Sequence, residues 1–277
     1  MRSLLGRGVR VLASEALHLL RRVMPEDPGS ARVIYYHRID DEQHRSCVTP
    51  RAFAEQMAHL RSEGFNVVPL AAMRAHLDAR TPFPARTVAV TFDDGFADNY
   101  TAAFPVLAKH ALPATIFLAA GFIGGDDLPV LRDRSGIRPL TWDQVREMAR
   151  GGVAFGAHTM THRSLTGLPP DELRQEIEQS RDVVAERVGA PADTFCYPRG
   201  HVDERVAQAT RDAGFAIACT TLPGSVPADT DPFLLHRTFV ARDDTLHDFA
   251  RKLDGSFDLL HAARQRLGGG APAPSYG

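Results

Sequence analysis

Two acidic residues and two histidines have the side chains and the spacing of a metal-dependent hydrolytic site. Asp93 and Asp94 follow a run of β-branched and apolar residues at positions 88–92, and His158 and His162 lie four residues apart. Imidazoles and one carboxylate suit a single divalent ion of borderline softness. A second carboxylate beside that ion can act as the base that deprotonates water. The four residues therefore predict hydrolysis assisted by one metal ion.

The two motifs differ in how specific they are. Adjacent residues on a regular strand point to opposite faces, so Asp93 and Asp94 reach one cavity only where the strand ends. Gly95 follows them and permits the backbone angle that such an ending requires. Because Asp and Gly are also ordinary turn residues, the acidic pair is a weak signal by itself. The histidine pair is more specific, provided that its segment is helical or forms a tight loop.

Strand and helix patterns alternate along the chain around these motifs. Strands are predicted at residues 32–37, 65–70, 87–92, 114–118, 153–157, 194–197, 215–220 and 235–240. Helices are predicted at residues 50–63, 71–80, 98–110, 141–151, 170–188, 203–213 and 245–267. Thr141 and Gln144 form a capping box at the start of the fourth helix. Alternation repeated about seven times predicts a parallel sheet, either closed into a barrel or open and doubly wound.

Each candidate chemical side chain lies at the carboxyl end of a predicted strand or shortly after it. These residues are, in chain order, His37, Asp93, Asp94, His158, His162 and Tyr197. In parallel α/β folds, ligands bind at the carboxyl ends of the strands. We therefore expect these residues to share one site.

The composition is ordinary for a globular protein. The chain has 277 residues, of which 44% are hydrophobic and 24% are charged. The net charge of −2 gives no reason to expect nucleic acid as a partner. Three cysteines are too few, and odd in number, for a disulfide framework. Cys196 and Cys219 fall in predicted strands, where we expect them to be small core hydrophobes.

Both ends of the chain differ from its middle. Apolar residues within positions 1–24 recur every three or four residues and form one helical face beside several arginines. This amphipathic helix either lies on an anionic membrane surface or packs against the domain. No secretory signal is recognisable, so we expect a cytoplasmic protein, peripheral to the inner membrane if the helix binds lipid. The predicted organisation is an N-terminal helix and linker at 1–30, a catalytic domain at 31–266 and a disordered tail at 267–277.

The two motifs also carry a family resemblance. The block at 91–95 followed by the block at 158–162 resembles the polysaccharide deacetylase family, also called the NodB-homology domain or carbohydrate esterase family 4. The likeness covers roughly residues 32–240. It implies a distorted (β/α)7 barrel, here with an extra N-terminal amphipathic helix.

The resemblance also implies a role for each of the four residues. Asp93 corresponds to the catalytic base of the family. Asp94, His158 and His162 correspond to the ligands of one divalent ion. Zinc is the first expectation for that ion, with cobalt, nickel and iron as alternatives.

The general acid has two candidates. The segment at 35–38 resembles the arrangement in bacterial poly-N-acetylglucosamine deacetylases, where the acid histidine comes early in the chain, and this implies His37. Many family members instead carry a Leu-x-His motif near the end of the domain, which His236 matches. We favour His37, because it follows a predicted strand whereas His236 begins one.

The block at residues 195–200 matches the family only in part. In the family, this block lends a backbone N–H to the oxyanion and an arginine that steadies the base. The resemblance implies Tyr197 and Arg199 for these two roles, although they flank Pro198 in the reversed order.

These roles predict the removal of N-acetyl groups from an amino-sugar polysaccharide or glycolipid, with Asp93 as base and His37 as acid. Alternatives are a deformylase or amidohydrolase acting on a small or lipid-linked amide, and a non-catalytic saccharide-binding relative. A metal-dependent phosphoesterase would need a second ion and further ligands, which the sequence does not offer. The expected partners are the acetylated substrate and no nucleic acid. Membrane contact through residues 1–24 depends on the N-terminal helix.

Overall fold

The computed structural model describes residues 29–125 and 137–258. The predicted N-terminal helix, the tail and the second half of the helix at 245–267 lie outside these ranges. Within them, no helix has the length and apolar character that a membrane crossing requires.

The described residues contain ten strands and seven α-helices. The strands are β1 (Arg32–Tyr36), β2 (Arg38–Ile39), β3 (Cys47–Val48), β4 (Asn66–Val67), β5 (Thr87–Phe92), β6 (Ala114–Leu118), β7 (Val153–Ala157), β8 (Thr194–Cys196), β9 (Ile217–Cys219) and β10 (Thr238–Phe239). The helices are α1 (Pro50–Ser62), α2 (Arg74–Ala79), α3 (Phe104–His110), α4 (Trp142–Arg150), α5 (Pro170–Val188), α6 (Glu204–Asp212) and α7 (Leu246–Leu253). The predicted alternation is thereby confirmed.

Local sequence explains several helix boundaries. The predicted capping box of α4 forms, because Thr141 accepts from the backbone N–H of Gln144 and the Gln144 side chain accepts from that of Thr141. A 3-10 turn, Leu70–Met73, precedes α2, and a π-helical turn, Asn99–Ala103, precedes α3. The predicted helices at 71–80 and 98–110 are therefore each made of two segments.

The main sheet is parallel and has the strand order β10-β1-β5-β6-β7-β8-β9. Strand β4 pairs with the first two residues of β5, whereas β6 pairs with its last two. Strands β2 and β3 form a separate parallel pair beyond the end of β1. Helices lie in the connections between the strands, which is the arrangement that right-handed parallel crossovers produce.

Alternate residues of β1, β5, β6, β8 and β9 enter two separate hydrophobic clusters. On β5, for example, Val88, Val90 and Phe92 belong to the larger cluster, whereas Ala89 belongs to the smaller one. The smaller cluster fills the inside of the curled sheet and is made of Ala31, Val33, Leu70, Met73, Leu77, Phe83, Ala89, Phe117, Cys196, Ile217, Cys219, Val226 and Leu235. Both faces of the sheet are buried, as its continuous apolar runs predict.

The segment at 235–240 connects the two ends of the curled sheet. Leu235 forms a parallel bridge with Cys219 of β9, and three residues later Thr238 pairs with Ile34 of β1. The strand predicted for 235–240 is therefore only two residues long, because the segment changes neighbours within it. This closure confirms the barrel-like alternative and leaves Arg237 between the two pairings.

Candidate metal centre and active site

The acidic pair stands at the carboxyl end of β5. Asp93 continues the strand, since its N–H donates to the Tyr36 carbonyl at 3.0 Å. Asp94 and Gly95 then adopt φ values of 75° and 78°. The positive φ of Gly95 favours glycine, and a Cβ atom there would lie 2.7 Å from the Leu118 side chain and displace it. This reversal sends the two carboxylates in different directions, and both are buried.

Asp94 faces the two predicted histidine ligands. Its Oδ1 atom lies 3.2 Å from His162 Nε2 and 3.5 Å from His158 Nε2. A tetrahedral ion that binds nitrogen and oxygen at about 2.0–2.1 Å separates its ligand atoms by about 3.3 Å. Asp94 Oδ1 is buried and has no hydrogen-bond partner within the described part of the chain. The three donors therefore fit one divalent ion.

The surroundings of His158 suit a neutral metal ligand. Its N–H donates to the Leu118 carbonyl, and its Nδ1 lies 2.6 Å from the Cys196 carbonyl oxygen. A carbonyl only accepts, so Nδ1 carries the proton and the Nε2 lone pair faces Asp94. Burial, followed by the electrostatic interaction with His162, lowers the pKa of His158 to about 4. The imidazole is consequently uncharged at neutral pH, as metal binding requires.

The second predicted histidine ligand, His162, lies in a tight loop. Thr159 and His162 have φ values of 67° and 56°. The His162 N–H donates to Thr159 Oγ1 at 2.9 Å, which closes the turn. The ring centroids of His158 and His162 consequently lie 4.8 Å apart. Of the two conformations that suit a four-residue spacing, the protein uses the loop.

Asp93 faces a buried arginine that the sequence reasoning missed. Arg237 Nη1 and Nη2 donate to the two carboxylate oxygens of Asp93 at 2.7 and 2.8 Å. The guanidinium is fully buried, donates from Nε to the Thr220 carbonyl and lies 4.2 Å from the Tyr35 ring centroid. Burial alone would raise the pKa of Asp93, but the charge and hydrogen bonds of Arg237 outweigh it and hold that pKa below its ordinary value.

The arginine inferred from the family block is a different one. Arg199 is exposed, sits at φ 60° in a 3-10 turn and has no contact with Asp93 among the described hydrogen bonds and ion pairs. The arginine that contacts Asp93 is Arg237. A signal for it was present in the sequence, because an arginine inside a predicted buried strand is rare unless it is paired.

Cys196 forms part of the site wall and is more than a core residue. Its Sγ lies 2.9 Å from Arg237 Nη2 and 3.8 Å from Asp93 Oδ2. Burial raises the pKa of this thiol well above its ordinary value, so it stays protonated. All three cysteines are buried and free, and the predicted burial of Cys196 and Cys219 in strands is confirmed.

A second set of three donors lies beside the first. Asp93, His158 and Cys196 also offer atoms within 4.8 Å of one another. However, Arg237 occupies both oxygens of Asp93, and the thiol is protonated. The set that contains Asp94 is therefore the better site for an ion.

The structure corrects the expectation for Tyr197. Its backbone N–H donates to the Cys219 carbonyl at 3.1 Å and is not directed at the site. Its ring is fully buried and packs edge-on against Phe195 at 5.3 Å. Tyr197 is therefore a core residue, because strand pairing uses the N–H that an oxyanion would need.

The two candidate acids lie in different surroundings. His37 follows β1, and its charge adds to the lowering of the pKa of Asp93 and Asp94, after the larger effects of burial and of nearer charged groups. His236 precedes Arg237 and points to the other side of the segment, where its Nδ1 would lie 2.7 Å from a Cβ atom on Gly224. Of the two, the structure brings only His37 to the aspartates.

Comparison with known proteins agrees with this site. A profile of the polysaccharide deacetylase family matches residues 80–218, half of the chain. YxkH of Bacillus subtilis, named for the same family, is 28% identical over 219 residues that cover 79% of this chain and 74% of its own. The poly-β-1,6-N-acetyl-D-glucosamine N-deacetylase of Escherichia coli is 34% identical over 139 residues, 46% of this chain but only 20% of the E. coli protein. The enzyme of that name from Staphylococcus aureus is 21% identical over 80% of this chain and 77% of its own.

Solved structures share the fold. IcaB from Ammonifex degensii superimposes with a TM-score of 0.70 at 27% identity, covering 82% of this chain and 97% of that one. The Streptococcus pyogenes deacetylase PplD gives a TM-score of 0.71 at 24% identity, covering 82% and 99%. With its strand-end aspartates and histidine loop, the chain belongs to the polysaccharide deacetylase family of hydrolases.

Proposed function

We propose that this protein removes N-acetyl groups from a polymer of N-acetylglucosamine, in a reaction that depends on one divalent ion, zinc in the first place. The observation that carries the proposal is that the two aspartates have different partners. Asp94 and the histidine pair form one cluster, and Asp93, held by Arg237, lies beside it. Two of the relatives named above support the choice of polymer by their names.

The ion would be held by Asp94, His158 and His162. When bound, such an ion polarises an amide carbonyl and makes water more acidic. The depressed pKa of His158 keeps that ligand neutral, and burial at the strand ends limits the access of bulk water.

Asp93 would act as the general base. Its lowered pKa keeps it ionised at neutral pH, and the two hydrogen bonds from Arg237 fix the plane of the carboxylate. The carboxylate takes a proton from the attacking water as oxygen bonds to the acetyl carbon. His37, in its protonated form, donates to the amide nitrogen as the carbon–nitrogen bond breaks. The products are acetate and a free amine.

The experiment is an acetate-release assay on oligomers of β-1,6-linked N-acetylglucosamine, with β-1,4-linked oligomers as the comparison. We expect acetate and new amine groups in equal amounts, more from the β-1,6 oligomers. Removing the ion with a chelator should abolish release, and one equivalent of zinc should restore it. Turnover that survives chelation, or no release from either oligomer, would refute the proposal.

A further inference from the structure

A buried glutamate holds the loop between the two histidine ligands. Glu176 lies on the inward face of α5 and is 7% exposed. We propose that Glu176 is a positioning residue that fixes the loop at residues 159–162 and thereby sets the affinity for the divalent ion. This inference rests on the proposed metal-dependent function.

Within the described residues, the side-chain hydrogen bonds of Glu176 are all made with that loop. Oε2 accepts the backbone N–H groups of Met160 and Thr161, each at 2.9 Å. Oε1 accepts the Thr161 hydroxyl. A carboxylate loses much solvation on burial, and three hydrogen bonds from one short segment replace it.

The opposite side of the loop is anchored to the end of β6. The Ala120 N–H donates to the Thr159 carbonyl, and the Gly121 N–H donates to the Met160 carbonyl, both at 2.9 Å. A Cβ atom at Gly121 would lie only 2.6 Å from the Met160 oxygen, so this approach is possible only with glycine. The loop is therefore clamped between the sheet and α5, with Glu176 as the clamp on the helix side.

The clamp is needed because the loop is strained. Thr159 and His162 both have positive φ, which costs a non-glycine residue free energy unless its surroundings enforce it. Without Glu176, the N–H groups of Met160 and Thr161 would lose their acceptor and the turn could relax. His162 would then leave the position 3.2 Å from Asp94, whereas His158, which continues β7, would stay.

The inward face of α5 is otherwise apolar or small. Its buried residues besides Glu176 are Leu173, Ile177, Ser180 and Val184. The carboxylate is therefore not part of a general polar network along the helix. Glu178 on the same helix is exposed, which makes it a matched control of the same residue type.

The test is ion affinity, measured by competition with a chromophoric zinc chelator on the full chain without substrate. We expect Glu176→Ala to raise the zinc Kd by about 10- to 100-fold, as loss of an outer hydrogen-bond partner of a metal site does. Glu176→Gln keeps an oxygen for the two N–H groups and should fall between Glu176→Ala and the unaltered protein. Glu178→Gln should leave the Kd unchanged.

Thermal unfolding of the ion-free proteins separates positioning from general stability. If Glu176→Ala unfolds earlier but its zinc Kd stays within about threefold of the unaltered protein, the inference is overturned. If that variant does not fold, Glu176→Gln decides by the same criterion. If the unaltered protein binds zinc but releases no acetate, the proposed function is refuted, and the role of Glu176 is still tested by the zinc Kd. An unaltered protein that binds no zinc refutes both.

Discussion

Asp93 and Asp94 are neighbours in the chain and are both buried, yet they lie in different halves of the site. We call Asp93 and Arg237 the base half, and Asp94, His158 and His162 the ligand half. Asp93 is bound through both oxygens by the buried guanidinium of Arg237. Asp94 faces two imidazoles and keeps one oxygen without a hydrogen bond within the described residues. The same side chain thus has the surroundings that suit the proposed base in one half and the proposed metal ligand in the other. The partner, and not the residue type, sets the role.

The two halves also differ in how their charge is balanced. The base half needs no further cation, because the Arg237 guanidinium neutralises the Asp93 carboxylate. In the ligand half, burial raises the pKa of Asp94, but interaction with the neighbouring histidines, His162 before the others, outweighs it and keeps that pKa below its ordinary value. Since His158 is neutral at pH 7, that half gains most from a cation. The difference predicts that substitutions in the two halves separate ion binding from catalysis.

Exchanging each aspartate for asparagine should give the largest effects and tests the comparison directly. Asp94→Asn should lose the ion and, with it, more than about 10³-fold in activity. Asp93→Asn should keep one ion per chain but lose about 10²- to 10⁴-fold, the usual contribution of a general base. Metal content by atomic emission, together with kcat, distinguishes the two. A stoichiometric ion in Asp94→Asn, or near-normal turnover in Asp93→Asn, would contradict the assignment.

Removing Arg237 should destabilise the protein, because the buried charge of Asp93 would be left without its counter-ion. We expect Arg237→Leu to lower the free energy of unfolding by about 3–5 kcal/mol. The pKa of Asp93 should rise in that variant, since burial would no longer be opposed by the guanidinium. Urea denaturation measures the change, and exposed Arg199→Leu is the control, with an effect within about 0.5 kcal/mol.

The double variant makes this prediction sharper. Adding Asp93→Asn to Arg237→Leu removes the unpaired charge and should recover part of the lost stability. Purely additive losses would show that the two residues are not coupled.

The candidate acids offer a smaller and more selective test. His37→Ala should reduce kcat by about 10²-fold or more without loss of the ion, because protonation of the leaving nitrogen is removed. His236→Ala should stay within a few-fold of the unaltered enzyme, because its imidazole lies against Gly224. The reverse pattern would transfer the acid role to His236.

The ligand half should also make the ion-free protein sensitive to acid. His158 has a pKa of about 4 when folded against an ordinary 6.5, so the unfolded chain binds more protons between these values. The stability contributed by burying the neutral ring is complete above pH 6.5 and is lost as the pH falls towards 4. The loss should reach about 3 kcal/mol, as measured by urea denaturation across this range. His158→Gln should flatten the dependence, and replacing exposed His201 should not.

Sequence reasoning succeeded best where strands are buried on both faces. The predicted bounds of β5, β6 and β7 agree with the structure, because each is a run of β-branched, apolar or small residues without a charged side chain. The predicted bounds are wrong where strand pairing depends on residues that are distant in the sequence. The segments at 65–70 and 235–240 are each predicted as six-residue strands, yet each pairs as a strand over only two residues.

The site residues divide in the same way. The sequence by itself determined the ligand types, their order and their place at strand ends, because residue identity and hydrophobic period are local properties. Only the tertiary structure decided which partner each aspartate meets. Arg237 lies 144 positions from Asp93, and it reaches the carboxylate because the segment around it joins β9 to β1. Local patterns carry no information on that closure, since it depends on how the whole sheet curls.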